Sequence, residues 1–232
     1  MDTNPQKDEA RAAFSTGCEY HERGMLSEAI VEFNAVIGIK PTHFFAHHNK
    51  GICLFKLKKY DEAIISFSRA AEIRPYNSEP FRLIAECHFK KREFAKAVPN
   101  YKKALCINYD YGNLHFKLGL ALYFTSDYNG ALKSFTRAQS CTRTTIKIET
   151  LDYWCARCFE KMHLPMEESC ALRNALNANP GEKLKRKITR MLSEIGEWDG
   201  KSFKKPVKPQ SPASNYQIIS EKRLVLIRLP RP

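Results

Sequence analysis

Nowhere does this sequence run to the roughly 20 consecutive apolar residues that a membrane-spanning helix requires, so no membrane span is expected. It also lacks GxGxxG, a Walker-type phosphate loop, a GxSxG elbow and an HExxH pair, the signatures of several nucleotide-binding and hydrolytic sites. No catalytic constellation replaces them, and the expectation is a protein that is not an enzyme and uses no cofactor. The opening MDTNPQKDEAR alternates charge and has no apolar core, which does not read as a secretory signal. A cytoplasmic setting is therefore expected. Only one CxxC is present, Cys155 to Cys158, with His163 five residues on, and no second pair at matching spacing completes a zinc set.

The chain has 43% hydrophobic residues, ample for a core, and 27% charged ones. Cys53, Cys87 and Cys158 fall at one position of three helical units. Periodic placement is what packing produces, because a free thiol behaves as a small buried hydrophobe. His43, His47 and His48 cluster without a carboxylate or thiolate at ligand spacing, which favours a packing or solvated role over a metal. The formal net charge of +13 is unevenly spread. Residues 181–232 hold 13 basic and 5 acidic side chains, whereas residues 1–180 hold 25 and 20. A basic tail on a nearly balanced body points to an acidic partner surface.

A fixed period dominates the body. Gly17, Ala29, Phe33 and Pro41 are followed 34 residues later by Gly51, Ala63, Phe67 and Pro75. Ala85, Ala97, Tyr101 and Ala104 continue the series, then Gly119, Ala131, Phe135 and Ala138. The small residues let paired helices approach, and the aromatic is expected to fill the seam with the next unit. Such a period means stacked helix pairs, since no unit can bury its apolar face alone.

These residues resemble the tetratricopeptide repeat (TPR) family. The fold expected is all-α, a TPR α-solenoid of antiparallel helix pairs with a capping helix and an extended basic C-terminal tail. Residues 1–9 lead in, and units follow at 10–43, 44–77, 78–111 and 112–145. A fifth, at 149–182, comes after a three-residue slip in CTRTTIKIET and carries Glu168 where the second small alanine belongs. Residues 10–180 thus form the repeat body. A capping helix is expected over 181–199, with Leu184, Ile188, Met191, Leu192 and Ile195 as its apolar stripe. Residues 200–232 form the tail, where KSFKKPVKPQSPAS reads as an extended linker and the stretch beyond it as two short extended apolar runs.

The resemblance implies that ligands meet the first helix of each pair. Mapped here, that face holds Phe14, Phe45, Phe55, Lys56, Arg82, Phe89, Lys90, Phe116, Tyr123, Phe124 and Tyr153. Contacts in the tail are expected from Lys204, Lys205, Lys208, Tyr216, Ile218, Leu224 and Leu226. The Lys/Asn clamp by which some TPR proteins hold acidic chaperone tails maps to Phe14, Cys18, Ile52, Arg82 and Glu86, of which Arg82 alone fits.

The leading expectation is a scaffold or adaptor that holds an extended or helical apolar segment against aromatics while the basic tail meets an acidic partner. The chain's own tail could fill the same groove, in cis or in a neighbouring copy. A component of a ciliary or flagellar microtubule assembly, with tubulin as the acidic surface, is a second reading, resting on tail charge alone. RNA binding ranks last, because the body has no continuous basic stripe and nucleic acid would meet Glu79 and Glu86.

Overall fold

In the computed structural model, the described residues are 5–108, 110–142, 144–195, 216–218 and 226–228. The chain divides into two compact units, Met1–Tyr109 and Asp110–Pro232.

Among the described residues, six helices build the first unit: α1 (Pro5–Glu22), α2 (Leu26–Ile39), α3 (Phe44–Lys56), α4 (Tyr60–Ile73), α5 (Ser78–Lys90) and α6 (Phe94–Ile107). Each packs against its neighbours in sequence, as expected of stacked helix pairs. Side chains cap two of the starts: His43 accepts from the amide of Ala46 and Asn77 from that of Glu79. The first helix of each pair ends in the same left-handed turn. In α3 the Lys59 amide bonds the carbonyl of Leu54 at 2.9 Å and the Lys58 amide that of Phe55 at 3.0 Å, a Schellman closure. The residue at its centre has positive φ: Gly24 at 78°, Lys58 at 62° and Arg92 at 62°.

The periodic residues meet inside. Gly17 lies beneath the ring of Phe33 and Gly51 beneath that of Phe67. These rings therefore sit first on the glycine of their own pair. They also close the seam with the next pair, as expected, since Phe33 clusters with Cys53 and Phe67 with Cys87. In the third pair Ala85 and Tyr101 take the two positions, both fully buried.

The second unit contains α7 (Gly112–Phe124), α8 (Tyr128–Ser140), α9 (Ile148–Lys161), α10 (Pro165–Asn177) and α11 (Glu182–Ile195). Gly119 lies beneath Phe135, and the left-handed turn recurs at Ser126 and His163. Where the three-residue slip falls, residues 144–147 form a loop before α9. Asn113 of α7 holds it, its side-chain oxygen accepting from the Thr145 amide at 2.9 Å and its nitrogen donating to Thr145 Oγ1 at 2.9 Å. Gly112 leaves room for Thr144, whose side chain a Cβ there would meet at 2.6 Å.

Helix α11 packs on α10 through Ile188, Met191 and Leu192, while Lys183, Lys185, Arg186, Lys187 and Arg190 stay exposed. Two three-residue strands, β1 (Tyr216–Ile218) and β2 (Leu226–Arg228), pair antiparallel with Ile218 opposite Leu226. They fall in the two runs read as extended. Among the described residues everything else that is regular is helical, so the class is all-α.

Candidate binding faces of the two units

In the first unit, α1, α3 and α5 carry the residues of interest. Phe14 is half-buried, its ring 5.9 Å from Phe33 and 5.0 Å from His43. Phe45 is 47% exposed and meets Phe44 edge-on at 5.2 Å. The guanidinium of Arg74 lies over both rings, at 4.5 and 4.8 Å, which holds Phe45 in place without covering it. Phe55 and Phe89 occupy equivalent positions, both half-buried, edge-on to Tyr60 at 5.5 Å and to Phe94 at 5.1 Å. Lys56 and Lys90, one residue on, are exposed.

The polar groups of this face are mostly engaged within the fold. Lys56 Nζ donates to His21 Nε2 at 2.7 Å, and burial, then the lysine charge, lowers the His21 pKa. Arg82 forks onto Glu79 one turn back, with Nε at 2.8 Å from Oε2, and that bond draws the Glu79 pKa down. Glu86, read from sequence as a charge facing a ligand, is buried beside Tyr101. Burial, with that carboxylate, raises the phenol's pKa. The three neighbouring histidines have separate tasks. His43 caps α3, His47 Nε2 bonds the Pro41 carbonyl at 2.9 Å, and His48 stacks on Phe44 at 5.6 Å.

In the second unit Phe124 is 45% exposed and Tyr153 half-exposed, but Phe116 and Tyr123 differ from the sequence mapping. Phe116 packs 5.8 Å from Phe135, and Tyr123 lies among Phe124, Tyr128 and Trp154, leaving each under a tenth exposed. Both belong to the core because helix α7 is apolar nearly all round, so its neighbours cover them. Sequence reasoning passed over Trp154. Its indole is edge-on to Tyr123 at 5.3 Å, to Tyr153 at 5.9 Å and to Phe124 at 6.3 Å, so it organises the aromatic wall. The available signal was its size, since tryptophan is seldom fully buried. Arg157 stands at the foot of this wall, 2.7 Å from Glu160 and paired with the Tyr123 hydroxyl.

The CxxC thiols lie in the core of α9. Burial pushes Cys158 up to about 12 and Cys155 well above its ordinary range. Among the described residues no group of three or more His, Cys, Asp or Glu could hold a metal ion, and no helix is long and apolar enough to cross a membrane. Of the tail positions, Tyr216, Ile218 and Leu226 lie in the paired strands, whereas Lys204, Lys205, Lys208 and Leu224 fall outside the described residues.

Residues 44–77 match the family described as Tetratricopeptide repeat. No curated protein matches the chain. Among solved structures, a crystal structure of MamA protein is similar with a TM-score of 0.69 and 17% identity, over 78% of this chain and 96% of that one. YrrB, described as a TPR protein with an unusual peptide-binding site, gives 0.68 at 15% identity over 77% and 90%. MamA from Desulfovibrio magneticus RS-1 gives 0.66 at 14% identity over 78% and 97%. At such identities the likeness is one of fold.

Proposed function

We propose, from the premise that this is a tetratricopeptide-repeat protein, that it acts without catalysis, as a scaffold holding segments of partner proteins against the first helices of its pairs. One observation carries the reading. Large aromatic rings stand half-exposed on these helices, Phe45 on α3 and Phe124 on α7, each held by rings or a guanidinium rather than left to rotate. A prefixed ring loses little conformational freedom on binding, so more of the burial energy reaches the complex. An aromatic anchor of this kind contributes on the order of 2 kcal/mol, and a few set the affinity. The peptide-binding site in the description of YrrB, a chain of the same fold, supports the class of ligand. The basic tail adds a second contact, with an acidic partner surface, and no observation in the helical body favours tubulin or RNA over a peptide.

Selection of random displayed peptides on the full chain tests this. Peptides enriched in apolar and aromatic residues are expected. Phe45→Ala with Phe89→Ala should abolish selection by the first unit, and Phe124→Ala with Trp154→Ala selection by the second. Pools unchanged in composition and strength on both double variants would refute the reading.

A further inference from the structure

The turns that close α3 and α5 carry a feature the aromatic faces do not explain. In each, the residue in the left-handed conformation is a cation, Lys58 and Arg92, both at φ 62°. Gly24 fills the same position of the first pair. A side chain is strained there, and glycine would not be. The helix termini just before them present Lys56 and Lys90, again equivalent and exposed. These turns are neighbours, because Lys91 of the second reaches Asp61 at the start of α4 at 2.5 Å.

Counting charges isolates four cations. Lys59 is tied to Glu62, and Lys91 to Asp61 and Glu93. Glu93 also takes His88 and Lys96, and these partners hold its carboxyl down at about 2. The acids of this edge are thus spent on Lys59, Lys91, Lys96 and His88. Among the described residues no carboxylate lies within ion-pair distance of Lys56, Lys58, Lys90 or Arg92. Lys56 has the neutral imidazole of His21, which leaves its charge uncompensated.

We infer that this turn edge of the first unit is a docking ridge for acidic side chains, and that the peptide held by the aromatic face carries Asp or Glu along the flank that meets it. The inference rests on the peptide reading above and narrows it to a partner class. Phe55 and Phe89 lie in the same last helical turns as Lys56 and Lys90, so apolar anchors and cations stand at the same ends of α3 and α5. The chain's own tail is not the occupant: residues 200–232 hold 8 basic side chains against 1 acidic, and like charges repel. A phosphate-bearing polymer or an anionic lipid surface would use the cations but not the rings.

The full chain and its Lys58→Gly/Arg92→Gly variant separate these cases. The substitutions remove two charges while relieving backbone strain, so the variant melts no lower than the parent. Displayed random 16-residue peptides selected on the parent should be enriched in both apolar and acidic residues. On the variant the apolar enrichment should persist and the acidic enrichment vanish. Affinity for a parent-selected acidic peptide should fall about fivefold to tenfold, as expected for two exposed ion pairs. The gap should narrow as salt rises. Apolar enrichment without acidic bias on the parent, or equal acidic bias on both chains, would overturn the ridge while leaving the peptide reading intact. No selection of peptides at all would fail that reading first. Lys58- and Arg92-dependent capture of phosphatidylserine vesicles or single-stranded RNA, without acidic peptide selection, would also overturn it.

Discussion

Gly51 lies so close beneath Phe67 that a Cβ on it would stand 2.5 Å from the ring edge and 2.9 Å from the ring tip. The ring is fully buried and forms part of the core shared with α5, so it has nowhere to withdraw. Gly51→Ala should therefore destabilise by about 1–3 kcal/mol through overpacking, although alanine is the better helix former. Gly119→Ala, under Phe135, should behave alike. Around Gly38 in α2 there is nothing within 4 Å of the place a methyl would take, and Gly38→Ala should instead gain up to about 1 kcal/mol. Urea midpoints at unchanged m decide between these signs.

The left-handed turns make a second prediction. Lys58, Arg92, Ser126 and His163 have φ between 57° and 64°. Replacing any of them by glycine removes a steric cost of about 1–2 kcal/mol and adds some unfolded-chain entropy, for a net gain of roughly 0.5–1 kcal/mol. Gly24→Ala should lose a similar amount. Thermal melts of the four variants test it, and a fall in stability on Lys58→Gly would show that its side chain holds the fold.

Glu168 should make stability fall with rising pH. The residue is 7% exposed in α10, at the place where other pairs have alanine. Burial, and then Glu160 and Glu194 against the opposing pull of Arg157, raise its pKa to about 7. The folded state thus holds a proton that the unfolded chain, titrating near pH 4.3, has already lost. Between those values the folded state binds more protons, so its stability declines as pH rises, by on the order of 3 kcal/mol once pH exceeds the folded pKa. Glu168→Gln should abolish this decline and be the more stable protein at pH 8. Urea denaturation of both proteins at pH 5 and pH 8 measures it; equal slopes would exclude Glu168 as the cause.

Thiol reactivity should divide sharply. Burial pushes Cys53 up to about 11 and Cys87 and Cys158 up to about 12, and all three side chains are fully buried. Thiolates are the reactive species, so these groups should resist iodoacetamide at pH 8 until the chain unfolds. Cys106 is exposed and should be alkylated in the native state. Mass mapping after brief labelling tells them apart.

The repeat was legible because packing imposes one spacing on small and aromatic residues alike: Gly51 and Phe67 can both be placed in the packing from the sequence, although only the coordinates put the ring on the glycine of its own pair. The helical class and the helix after the last pair followed from the same stripe logic. The binding faces were legible only in part. Phe45 and Phe124 stand exposed where the mapping put them, but it counted Phe116 and Tyr123 as equals. It also treated Glu86 as a surface charge, because period alone does not say whether a neighbouring element covers a position. Trp154 was missed although its neighbour Tyr153 was mapped, because period alone does not show that Tyr123 and Phe124 of α7 pack against it.

By itself, then, the sequence determined that helix pairs stack, since a 34-residue recurrence of Gly, Ala and Phe suits no other economical packing. Which side chains remain available to a ligand was decided by the tertiary structure alone. Availability depends on what the partners in space have already taken up: Asp61 and Glu93 neutralise Lys91, yet Lys58 and Arg92 are left uncompensated on strained turns. Ion pairing and burial are sums over neighbours distant in the chain, and no local pattern of residues contains them.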